Sequence, residues 1–99
     1  MRSVLHGDVT AAARALLMVP AAARETLCRR MIQEADFADR YAKRLGRPHR
    51  DWGNGTLMAA ARARPLADEP SLGEERYCQC LEMVFRELLE WRAARRNGG

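Results

Sequence analysis

Apolar positions recur at three- and four-residue spacing along most of this chain, and the longest such run lies between Pro20 and Gly46. Leu27, Met31, Ala35, Ala38, Ala42 and Leu45 form the stripe of one amphipathic helix. Cys28, Ile32 and Tyr41 flank it, and Phe37 stands at one edge. Arg29, Gln33, Asp36, Arg40, Lys43 and Arg44 fall on the opposite side and are expected to face water. Pro20 suits the first turn, where its missing N–H is not needed, and Gly46 suits the left-handed position just past the end. This stretch reads as the element around which the rest is arranged.

Shorter patterns surround it. Val9, Ala12, Ala13 and Leu16 share a face of a helix over 9–18, with Asp8 expected as its N-cap. The helix is expected to stop before Val19, because a residue ahead of proline leaves helical geometry. Residues 46–55 form a loop, and Thr56 caps a short helix over 57–63 that Pro65 ends. Ser71 and Glu74 have capping-box spacing ahead of a last helix. Its stripe is Tyr77, Leu81, Val84, Leu88 and Trp91, with Cys78, Phe85 and Leu89 beside it and Met83 opposite. Glu75 at its start and Arg92, Arg95 and Arg96 at its end complement the helix dipole. No segment alternates as a strand would. The expectation is an all-α fold, a small helical bundle of three main helices plus one short helix. Residues 1–99 are read as one domain, helices two and four as its main packed pair, and Asn97–Gly99 as a mobile tail.

Composition adds little to the fold and more to the partners. Apolar residues make up 47% and charged residues 30%, which suits a globular chain with its own core. The formal charge is +4 and the pI about 9.5, values that invite an anionic partner. Acids are nevertheless interleaved with the arginines, so a mixed, solvated surface is favoured over a nucleic-acid face. The alternative keeps the arginines of helix 20–45, or those of the C-terminus, as a nucleic-acid grip. Arg24, Arg29 and Arg30 would then lie on the second helix of a helix-turn-helix, though that helix runs far past the length of a recognition helix. No apolar run approaches the roughly 20 residues that cross a membrane. Asp8 and Arg14 interrupt any signal-like apolar centre.

Candidate chemistry is sparse. The three cysteines, Cys28, Cys78 and Cys80, have no framework spacing, which points to reduced thiols and a cytoplasmic setting. Cys78 and Cys80 lie two apart on a helix, pointing about 200° from each other, so no metal is expected there. The loop is the most site-like segment. His49, Arg50, Asp51, Trp52, Asn54 and Thr56 gather an imidazole, a guanidinium, a carboxylate and an indole just ahead of a helix N-terminus. They are candidate binding residues, while Gly53-Asn54-Gly55 also reads as a plain turn. Trp52 is expected to pack on helix two or helix four, near Tyr41 or Trp91, and to anchor the loop.

Gly7-Asp8-Val9, Ala13-Arg14-Ala15-Leu16-Leu17 and Val19-Pro20, together with Gly53-Asn54-Gly55-Thr56-Leu57-Met58-Ala59-Ala60, resemble a group of small uncharacterised bacterial helical proteins. The resemblance implies no activity, cofactor or partner. From the residues themselves the expectation is a non-enzymatic accessory or regulatory protein without cofactor. It would work by contact with a protein partner or with a second copy of itself.

Overall fold

A computed structural model describes residues 1–98. Four helices follow in order: α1 (His6–Leu16), α2 (Ala21–Leu45), α3 (Leu57–Ala61) and α4 (Glu75–Asn97). The described residues hold no strand, only an isolated antiparallel bridge between His49 and Gly53. The all-α fold of three main helices and one short one is therefore as expected. Asn97 closes α4 rather than starting a tail, and Gly99 lies outside the described residues.

The arrangement differs from the expected one in its centre. α1, not α2, is the buried axis: α4 and α3 pack on it most extensively, and α2 meets it as well. Val9, Ala11, Ala12, Ala13, Ala15 and Leu16 are all buried. Alanine has no side chain long enough to hold a neighbour away, so partners close in from several sides at once. On α2 Met31, Ala35 and Ala38 of the expected stripe are buried, but the buried face is turned from it to take in Cys28, Ile32, Asp36 and Asp39 while Leu27 and Ala42 are half-buried. Leu45 is exposed, and Asp36, expected in water, is buried. On α4 the buried line is Tyr77, Cys80, Val84, Glu87 and Leu88; Met83 packs against the core while Phe85 and Leu89 are exposed.

Charges explain the rotations. Asp36 receives the amino group of Met1 and Arg95 Nη1 (3.2 Å) from the end of α4. Glu87 takes Arg29 Nε at 2.8 Å, tying α2 to α4. A carboxylate enters an interface when a cation enters with it, and these cations come from distant parts of the chain. Asp39 is also buried, beside Lys43 Nζ (3.0 Å) and the Met1 amino group (3.3 Å). Burial alone would push its carboxyl upward, but the hydrogen bonds from these two cations hold it below the usual carboxylate range.

The ends of α1 are closed by side chains. Leu5 is the N-cap residue and Asp8 the third helical one, so Asp8 is not the cap the sequence suggested. Its Oδ2 accepts the Leu5 N–H at 2.8 Å, and its Oδ1 accepts the Met58 N–H of α3 at 2.9 Å. One carboxylate thus serves two helix N-termini, whose first N–H groups have no partner within the helix. At the other end Arg24 Nε donates to the Leu16 carbonyl at 3.0 Å. Ser71 does not cap α4: Glu74 holds the N-cap position without a side-chain hydrogen bond, and Ser71 Oγ accepts the Gly73 N–H within the turn ahead of it. Thr56 caps α3 as expected, and Gly46 ends α2 in the left-handed conformation at φ 72°.

Asp8→Ala should leave two partly buried N–H groups without acceptors. Each such loss costs about 1–3 kcal/mol, so urea unfolding should show a stability lower by about 3 kcal/mol. Thr10→Ala on the same helix should cost far less, since its hydroxyl only donates back to the Gly7 carbonyl.

Candidate functional site

The 46–56 loop is built from its own backbone. His49 and Gly53 exchange two hydrogen bonds, His49 N–H to Gly53 O at 2.8 Å and Gly53 N–H to His49 O at 3.0 Å. Within this tight turn His49 Nδ1 accepts the N–H groups of Asp51 (3.0 Å) and Trp52 (3.2 Å). The imidazole then stacks on the Trp52 indole, centroids 4.6 Å apart and planes 8° from parallel. Phe37 of α2 stands edge-on to both rings at 5.6 Å, and Tyr41 meets His49 at 4.9 Å. Trp52 packs on α2 as expected, but against Phe37 rather than Tyr41 or Trp91, and it is half-buried rather than enclosed.

The six candidate residues are split between tasks. His49 and Trp52 share the aromatic cluster. Asn54 Oδ1 accepts the Thr56 N–H (3.1 Å) and hydroxyl (2.9 Å), and Thr56 Oγ1 accepts the Ala59 N–H at 3.1 Å. Both therefore work as caps for α3. Arg50 and Asp51 are exposed. His49, Asp51 and Asn54 do not converge on a common cavity. The concave surface nearby lies on the α2 side, where Arg30, Gln33, Glu34, Phe37, Arg40 and Trp52 border a shallow depression.

A second feature is an apolar concavity whose Phe85 and Leu89 the sequence places beside the α4 stripe. Between the start of α1 and the middle of α4 runs a groove of about 380 Å³. Val4, Val9, Leu81 and Leu88 form its walls. Leu5 (70% exposed), Leu72 (67%), Phe85 (55%) and Leu89 (63%) stand around it. Large apolar side chains gathered into one exposed patch mark interaction surfaces more often than single ones do. The signal for this face was present in the sequence. Glu82, Phe85, Leu89 and Arg92 recur at three- and four-residue spacing, a second line on α4 bounded by charges.

The thiols divide as well. Burial pushes Cys28 up to about 12 and raises Cys80, which removes both as nucleophiles. Cys78 is exposed, its thiol donating to the Leu72 carbonyl at 2.9 Å. Among the described residues no three His, Cys, Asp or Glu side chains gather to hold a metal ion. Among the described residues no helix is long and apolar enough to cross a membrane.

The model of a family described as a domain of unknown function (DUF7742) matches residues 2–88. No curated protein and no solved structure matches the chain.

Trp52→Ala removes a half-buried indole and the face on which His49 stacks. A fully buried tryptophan would cost about 3–5 kcal/mol; here the loss should be about 2 kcal/mol. Thermal melts should show a Tm lower by roughly 10 °C, on the scale of a domain this size. An unchanged Tm would show that the loop is held without its indole.

Proposed function

The chain belongs to the DUF7742 family of unknown function, and from its surface we propose that it works as a small accessory or regulatory protein through contact with another protein. The observation that carries this reading is the exposed patch of Leu5, Leu72, Phe85 and Leu89 around an apolar groove. An enzyme needs a nucleophile or acid–base pair held in a pocket. His49, Asn54 and Thr56, by contrast, are spent on backbone and capping hydrogen bonds. The setting proposed is a bacterial cytoplasm, in keeping with three thiols that form no disulfide.

A second reading rests on a different observation. Phe37 and Trp52 stand beside Arg30 and Arg40, with Arg44 and Leu45 continuing the same side of α2. Aromatic faces between cations suit stacked bases of a single-stranded nucleic acid. Against it, many arginines are already engaged. Arg14 and Arg24 hold carbonyls, while Arg29, Arg64 and Arg95 hold carboxylates. Of the three cations weighed for a helix-turn-helix, only Arg30 is without such a tie among the described residues.

Two measurements separate the readings. Phe85→Asp with Leu89→Asp places charges in the patch and should abolish self-association in light scattering, together with capture of proteins from the native host. A strictly monomeric wild type whose captured proteins are unchanged by the double variant would remove the first reading. Single-stranded RNA affinity that falls steeply with salt and weakens in Trp52→Ala would favour the second; no binding at low salt would end it.

A further inference from the structure

The groove face has a charge pattern that fits one particular occupant. Cys78, Glu82, Phe85, Leu89, Arg92 and Arg96 recur along α4 at spacings of four and three and share one line of the helix. All six are exposed. Phe85 and Leu89 occupy its middle, an acid lies toward its N-terminal end and two bases toward its C-terminal end. Neither Glu82 nor Arg92 makes an ion pair among the described residues, although Glu87, Arg29 and Arg95 on neighbouring helix faces all do.

We propose that this face pairs with the same face of a second copy, α4 running antiparallel to α4 about a two-fold axis that passes between Phe85 and Leu89, level with Glu87 along the helix. The proposal rests on the protein-contact reading above and names its partner. A two-fold interface is self-complementary: a residue on one side meets a residue of the same patch on the other. With the axis there, Phe85 lies opposite Leu89 of the second copy, Glu82 opposite its Arg92, and Cys78 opposite its Arg96. Each contact occurs twice. The parallel arrangement would instead set Glu82 against Glu82 and Arg92 against Arg92, so like charges exclude it. Leu5 and Leu72, beside the line, widen the apolar strip that such a pairing removes from water. Buried apolar middles with charged ends are how paired helices fix both orientation and register.

Sedimentation equilibrium of the full chain under reducing conditions at low salt should show a dimer. Glu82→Arg and Arg92→Glu should each weaken it by about tenfold, since each turns two attractive contacts into repulsive ones of similar size. Combining the two reversals should restore the wild-type affinity. Cys78 supplies an independent test of orientation. In the antiparallel pair the two Cys78 thiols lie roughly 27 Å apart along the axis, so mild oxidation should not link the wild-type dimer. Arg96→Cys should give a disulfide-linked dimer through Cys78 of the second copy. Wild type that is monomeric, a dimer indifferent to the reversals, or a wild-type dimer linked through Cys78 would each overturn the proposal. A monomer that still loses protein capture in the Phe85→Asp, Leu89→Asp variant refutes the second copy and leaves the broader reading standing. A monomer with unaltered capture removes both.

Discussion

A helix can be enclosed from end to end only when its terminal N–H and C=O groups find partners other than water. α1 is buried over most of its length, with only its first residue exposed, and much of the structure follows from how its ends are met. At one end the Asp8 carboxylate takes an N–H from Leu5 and another from Met58, so the same group that closes α1 also fixes the start of α3. At the other end Arg24 reaches back from α2 to the Leu16 carbonyl. Between them Arg14 holds the 66–70 loop, its Nε on the Ala67 carbonyl at 2.7 Å, while its own carbonyl accepts the Ala67 N–H. Polar contacts thus tie α1 to α2, to α3 and to the 66–70 loop, while α4 packs along it.

The same economy accounts for the arginines. A formal charge of +4 suggests a surface looking for anions. In the fold, arginines instead act as ties between elements: Arg29 to Glu87, Arg64 to Glu34, Arg95 to Asp36. Arg95 also lies over the Trp91 ring at 4.9 Å. A planar guanidinium suits this task because it packs along apolar surface while donating from a fixed fork. The charge that remains free is spread over the exterior, and the apolar patch on α4 stands out by contrast with it.

What the sequence made legible was local. Gly46 and Thr56 mark their helix ends, the periodicities of α2 and α4 give the right elements, and Trp52 anchors its loop on α2. What it hid was distant. Alanine carries no facial preference, so nothing in 11–15 says that α1 is surrounded. Asp36 reads as solvent-facing because Arg95, a cation that permits its burial, lies 59 residues away. Arg24, read as a nucleic-acid contact, is a helix cap. His49 reads as a binding residue, whereas its acceptor nitrogen is taken by two backbone N–H groups of its own turn. The two stretches that carried the resemblance, around Gly7 and around Gly55, meet at one junction. The Met58 methyl fills the space a side chain at Gly7 would need, and Gly55, at φ 96°, passes so close to Asp39 that a Cβ there would collide with it.

The central place of α1 also bears on the order in which the molecule can assemble. At 11 residues it is too short to persist as an isolated helix. Its main partner, α4, is the last element to be synthesised. At translation rates of roughly 5–20 residues per second, several seconds separate the appearance of Leu16 from that of Tyr77. During that interval the nascent chain holds α1 with α2 and α3 but without the surface of α4. The core is therefore complete only once α4 arrives.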